Sequence, residues 1–244
     1  KVVIKAGDCR MKPQASTFVD LGLPSGTRWA TCNLEATSPE DYGDYFGWGC
    51  TIPYASSAVP NWPLYFKKIG GTGTAEGDCG KTNFDPMASY VNGRTKISGT
   101  DRDAAYVRLA KQAYMPSREQ WQELLDQCDF VKVTKNNVFI GWNVFKNTNN
   151  GRAQTHNESE AHIFWPLGGG LDEKNHSDEA GGKQGYYGIG VRCFYWTASP
   201  NDASKAYDFV APQTSSDNAD PGVGQYARFH GRTIRPVDKI YPNR

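Results

Sequence analysis

Apolar and polar positions alternate with a strand's period over much of this chain, and only two stretches change to the spacing of an amphipathic helix. Residues 1–16, which include VVIKAGDCRMKP, read as a strand followed by a linker, or as the last strand of a preceding domain. FVDLGLPSGTRWATCN predicts a hairpin, because LPSG puts Pro at the second turn position and Gly at the fourth. From 34 to 82 the alternation stops. EATSPEDYGDYFGWG gives way to Pro53, Pro60, Pro63 and a Gly-Thr cluster at 70–74, which predicts a long loop stapled by aromatic residues.

Helical spacing appears first in DAAYVRLAKQ, with Thr100 or Asp101 as the cap and Ala105, Val107, Leu109 and Ala110 as the apolar face. It returns in SREQWQELLDQC, where Ser117 and Gln120 make a capping-box pattern after Pro116, and Trp121, Leu124, Leu125 and Cys128 share one face. Beyond Phe130 the segments VKVTKNNVFIGWNVFKN, AHIFWPLGGGLD, GVRCFYWTASP, KAYDFVAP and QYARFHGRTIRPV alternate again, separated by Gly, Asn and Ser. No fixed repeat is visible, which excludes solenoids and propellers. The pattern predicts an α+β chain with short strands and long loops.

Composition sharpens this picture. The 26 Gly, 14 Pro and 13% aromatic residues fit many turns joining aromatic-rich strands, and 38% hydrophobic residues are few for an enzyme built on buried helices. With 27 Lys and Arg against 26 Asp and Glu, no field gathers a polyanion, so nucleic acid is not the expected partner. No apolar run reaches the roughly 18 residues of a membrane span, and KVVIK lacks a signal peptide's apolar core, so the chain reads as a mature or truncated form. Cysteines at 9, 32, 50, 79, 128 and 193 form no C-x-x-C pair, which argues against zinc and thioredoxin-like sites. Six cysteines allow fifteen full pairings; Cys50 and Cys79, both in Gly-rich loops, are the candidate disulfide. This cysteine usage fits an extracytoplasmic protein.

FVDLGLPSGTRWATCNLEATSPEDYGDYFGWG resembles the opening of the Fibrobacter succinogenes major paralogous domain family, abundant in secreted proteins of Bacteroidetes. YMPSREQWQELLDQC is similar to that family's Met-Pro-Thr/Ser helix signature, HIFWPLGGGLD to its Phe-x-Pro-small-small-Gly strand, and YWTASP to its Tyr-Trp-Ser-Ser-Ser segment. HGRTIRPV is similar to its closing Gly-x-x-(Val/Ile)-Arg-Pro-Val. Five blocks thus stand in order between 18 and 237. The resemblance implies one C-type-lectin-like domain over 17–244, of the formylglycine-generating-enzyme type, with small antiparallel sheets, two helices and extensive ordered loops. It also implies a secreted or outer-surface location, with a lipid anchor upstream of this segment as one means of attachment. Related folds carry the hypervariable ligand surfaces of diversity-generating retroelement products on their C-terminal strands. This chain departs from the family at Cys50, where Glu is common, and in inserts around 70–80 and 172–185.

The fold relative that generates formylglycine needs two neighbouring cysteines, and here only Cys193 lies in the corresponding region, which reads as packing or half a disulfide. No G-x-S-x-G, H-E-x-x-H or P-loop pattern occurs. Of His156, His162, His176 and His230, three fall in polar loops and read as solvated. Glu158 with Glu160 and Asp172 with Glu173 lack the contrasting environments that a glycosidase pair requires. Calcium would need more oxygen ligands than Asn201 and Asp202 supply, and Asp217, Asn218 and Asp220 in SSDNADPG read as turn formers. No cofactor is expected.

Period two across 199–230 assigns Asn201, Asp202, Tyr207, Asp208, Gln213, Asp217, Asn218, Gln225, Tyr226, Arg228 and His230 to an outward, ligand-facing set, with Ala206, Phe209, Ala227 and Phe229 facing the core. Trp29, Trp48, Trp121, Trp165 and Trp196 read as core, and Tyr45 and Phe46 as packed inward above a backbone-bonded Asp44. Arg235 reads as a fold staple, paired with Asp20 or Asp44. The expected function is a non-catalytic secreted or cell-surface module that binds protein or glycan. The alternative is a structural or adhesive subunit of a surface fibre or pilus; formylglycine-type catalysis stands third.

Overall fold

The computed structural model describes residues 18–51, 53, 96–171, 186–202, 205–211, 221–228 and 230–240. Strand β1 (Phe18–Asp20) pairs antiparallel with β2 (Arg28–Ala30), in register from Phe18 opposite Ala30 to Asp20 opposite Arg28. The turn closes as the sequence predicts: the Gly26 N–H donates to the Leu23 carbonyl at 2.7 Å. Gly26 has φ +65°, a left-handed conformation that side chains resist.

Helix α1 (Ala104–Arg108) is shorter than the sequence predicts, and its cap is Asp103 rather than Thr100 or Asp101. The Asp103 carboxylate accepts from the N–H groups of Tyr106, Gly99 and Met115 at 3.0, 2.9 and 2.9 Å. One side chain therefore caps the helix and ties down two neighbouring segments. Ala110 and Lys111 take φ +52° and +67°, which ends the helix before the expected Gln112 and leaves Val107 45% exposed instead of on a core face. Helix α2 (Arg118–Gln127) follows the prediction, with Ser117 and Gln120 exchanging both bonds of the capping box. Its Trp121 and Leu124 are fully buried.

Strands β3 (Cys128–Lys135), β4 (Val138–Lys146) and β5 (His162–Pro166) form an antiparallel sheet in that order. Asn136 and Asn137, at φ +52° and +63°, make the tight β3–β4 turn, a conformation that asparagine tolerates. Short strands β6 (Gly170–Leu171) and β7 (Tyr186–Tyr187) pair with each other. A second three-stranded antiparallel sheet contains β8 (Cys193–Pro200), β9 (Lys205–Ala211) and β10 (Gly222–Ala227), with β9 in the middle. Among the described residues the architecture is mixed α+β, with small antiparallel sheets and two helices.

Trp121 sits among Trp29, Trp165 and Phe209, with ring centroids 4.7, 4.8 and 4.4 Å away. Trp48 and Trp196 are fully buried in a second cluster. Both indoles donate to main chain at 2.8 Å, Trp48 to Thr197 and Trp196 to Phe46.

The segment 232–238 links these parts. Arg232 exchanges backbone bonds with Phe46, Thr233 accepts from Trp196, Ile234 from Leu34 and Pro236 from Ala30, and Val237 exchanges two bonds with Tyr114. Arg235 is a staple as expected, but its partners are carbonyls rather than Asp20 or Asp44. It donates to Ala30, Thr31 and Phe164 at 3.0, 2.7 and 2.8 Å from a fully buried position. Asp20 instead accepts from Gly22 at 2.8 Å in the exposed hairpin turn. Asp44 is half-buried, and its N–H donates to the Leu34 carbonyl at 3.1 Å.

Candidate functional site

The two faces of the β8–β9–β10 sheet have different surroundings. One lies against α2, where Phe209 stacks on Trp121 and the Arg118 guanidinium sits 4.3 Å over the Tyr207 ring. The other carries Phe194, Asp208, Val210, Gly224 and Tyr226, set side by side by the registers Phe194 opposite Val210 and Asp208 opposite Gly224. Arg232, from the segment after β10, lies across that second face. Its guanidinium carbon is 4.5 Å from the Phe194 ring centroid, 4.4 Å from Tyr226 and 5.8 Å from Trp196. With Tyr187, Arg192 and Gln225 these residues line a cleft of about 330 Å³.

At the base of this arrangement stand two opposite charges with an incomplete contact. Arg232 Nε and Asp208 Oδ2 are 3.5 Å apart, both side chains almost wholly buried, and neither atom has a hydrogen-bond partner among the described residues. An unmet buried donor or acceptor costs roughly 1–3 kcal/mol. Burial raises the Asp208 carboxyl above the usual carboxylate range, and the Arg232 charge offsets this only in part. Gly224 faces the same carboxylate: a Cβ there would stand 3.0 Å from Asp208 Oδ1. Arg192 and Tyr187 form a second cation–ring pair on the wall, with the guanidinium 5.5 Å from the ring and donating to the phenol oxygen at 3.1 Å.

The residues expected to face a ligand divide into three groups. Tyr226 lines the cleft, and Gln225, Asn201 and Asp202 form a polar group beside it, with the Asn201 amide donating to Gln225 and to Asp202. Tyr207, Arg228 and His230 do not belong to an outward set. Tyr207 shares the helix-side face with Phe209, while Arg228 is fully buried 4.5 Å over Trp48, where it donates to the carbonyls of Asp202 and Lys205. His230 is 5% exposed and packs 4.5 Å from the Tyr226 ring. For Tyr207 the physical reason is that β9 is a central strand covered on both faces, so period two separates two interiors rather than inside from outside; Arg228 and His230 lie beyond the end of β10, where strand alternation no longer assigns faces. Asp217, Asn218 and Gln213 lie outside the described residues. Arg232, Arg192, Tyr187 and Phe194 were not anticipated as a group; the available signal was a second arginine in RTIRPV, three residues before Arg235.

Of the carboxylates considered for hydrolysis, Glu160 pairs with a histidine. His156, expected to be solvated, has a side chain only 2% exposed, stacked on Phe145 at 4.5 Å, with Nε2 at 2.8 Å from Asp129 and Nδ1 at 3.2 Å from Glu160. Burial alone would lower its pKa, but the two carboxylates outweigh burial and hold it above the ordinary value. A group raised in this way stabilises the fold fully below its unfolded value of about 6.5 and loses that contribution as pH rises through the folded value. Stability of the wild type is therefore expected to fall more steeply than that of His156→Gln as pH rises above about 6.5, measured as urea midpoints. Equal slopes for the two proteins would show that the pair contributes nothing. His176, Asp172 and Glu173 lie outside the described residues.

Cys193 is a buried free thiol pushed up to about 12 by burial, its sulfur 3.7 Å from the Ala211 carbonyl, so the packing reading of this residue holds. Cys32 carries a disulfide. Cys50 is buried as a thiol rather than a disulfide, so the expected Cys50–Cys79 bridge does not form; Cys79 itself lies outside the described residues. Among the described residues no group of three or more His, Cys, Asp or Glu is arranged to hold a metal ion. No described helix is long and apolar enough to cross a membrane. Comparison of the chain with family models, with curated proteins and with solved structures finds no match in any of the three.

Proposed function

We propose that this chain is a non-catalytic binding module of C-type-lectin-like fold, secreted or held at the cell surface, which recognises protein or glycan through the cleft on the second face of the β8–β9–β10 sheet. The observation that carries this reading is the cleft itself: aromatic walls, a buried charge pair and a volume of about 330 Å³ at the lower end of what small-ligand sites occupy. Two further features support it. A disulfide at Cys32 belongs to an oxidising compartment. The Cys193 thiol, held protonated by burial, is a poor nucleophile.

The test is capture of ligands on combined protein and glycan arrays by wild type and Tyr226→Ala. Truncating a central aromatic contact costs roughly 2 kcal/mol of binding, about 30-fold in affinity. Undiminished capture by Tyr226→Ala, with its melting transition intact, would overturn the assignment of this face.

A further inference from the structure

We infer that the cleft takes a neutral, polyhydroxylated ring, a hexopyranose unit of a glycan, and holds it without calcium through the Asp208–Arg232 pair. This inference rests on the cleft being the ligand site. Hydrogen-bonding capacity is the first reason to expect such a ligand. Asp208 Oδ2 can only accept and Arg232 Nε can only donate, they stand 3.5 Å apart, and neither has a partner among the described residues. One hydroxyl completes both, accepting from Nε–H and donating to Oδ2; because both atoms are buried, its entry requires the Arg232 fork, which lies between Phe194 and Tyr226 and donates to the Leu171 and Gly231 carbonyls, to turn toward the cleft.

Charge supplies the second argument. The pair is internally neutral, so a carboxylate or phosphate entering beside Arg232 meets Asp208, and an ammonium entering beside Asp208 meets Arg232. A neutral ligand meets no such opposition. Shape gives the third. Phe194, Val210, Tyr187 and Tyr226 present apolar surface suited to the C–H face of a sugar ring. The Arg192 guanidinium, which donates to the Tyr187 phenol, adds a polar group to the cleft wall, and a tyrosine side chain on a protein partner brings one hydroxyl where a sugar ring brings several. Gly224 completes the entrance. Any larger residue there places a carbon against the Asp208 carboxylate.

The experiment titrates the full chain, in the presence of a chelator, with neutral oligosaccharides of glucose, galactose and mannose, with sialylated and sulfated counterparts, and with a tyrosine-containing peptide. Heat of binding and the Arg232 Nε–H nuclear magnetic resonance signal are followed together. The expected result is binding of at least one neutral sugar that shifts the Nε–H resonance, with at least tenfold weaker binding by Gly224→Val at an unchanged melting temperature. Should Gly224→Val fail to fold, Gly224→Ala, whose single methyl stands at the 3.0 Å limit, takes its place. Absence of neutral-sugar binding, preference for the acidic counterparts or for the peptide, or unchanged affinity in the glycine variant each overturns the inference. If array capture of another ligand is lost in Tyr226→Ala while no neutral sugar competes, the binding-module reading survives and this one fails.

Discussion

Replacing Trp121 with alanine is expected to lower folding stability by roughly 3–5 kcal/mol, seen as a reduced urea midpoint at unchanged slope. Whole domains are stable by only about 5–15 kcal/mol, so the variant stands near the edge of folding at body temperature. The size of the effect follows from the surroundings. Trp121 is fully buried and touches Trp29, Trp165, Tyr195 and Phe209, so that α2, the β1–β2 hairpin and both three-stranded sheets meet on one indole. Its Nε1 makes no hydrogen bond among the described residues, which means the loss is one of packing and not of polar contact. Trp121→Phe should accordingly recover a large part of the lost stability. If it behaves no better than alanine, the packing explanation is wrong.

Arg235→Met is expected to cost a similar amount, roughly 3–5 kcal/mol, because removing one partner of a buried charged contact strands the others. Here the stranded groups are the carbonyls of Ala30, Thr31 and Phe164, which no methionine can satisfy. Arg235→Lys should recover little. A single ammonium on a flexible stem cannot address three oxygens that a planar fork reaches at 2.7–3.0 Å. Thermal melts of the two variants decide the matter. A lysine variant melting within a few degrees of wild type would show that charge alone suffices.

How much of this was legible in the sequence depends on how local the cause is. The LPSG turn and the Ser117–Gln120 box are decided within four residues, and both stand where the sequence puts them. Tryptophans on the inner side of a strand or helix were legible for the same reason: hydrophobic spacing is a property of neighbours. The cap of α1 was not, because Asp103 is selected by the N–H groups of Gly99 and Met115 as much as by its own helix, and Met115 is twelve residues away. Faces on β9 were misassigned for a related reason. Alternation marks two sides but not what covers each, and the cover on one side is Arg232, more than twenty residues downstream of Asp208. The candidate cleft was thus foreseen in Tyr226, Gln225 and Asp208 and missed in the arginines and in Phe194.

The linkage of the β1–β2 hairpin to the segment 232–238 has a consequence for the order in which the molecule is made. Arg28 meets Asp238 across 210 residues of chain, with 2.6 Å between Nε and Oδ2, and Ala30 donates to Pro236. On the ribosome the hairpin emerges before α2, whose Trp121 packs on Trp29, and long before the segment 232–238 that completes its cover. Loop closure over such a span is costly before any contact rewards it. Synthesis of the segment 232–238 is therefore the step that completes the packing around Trp29, and until then that side of the hairpin is open to wrong partners.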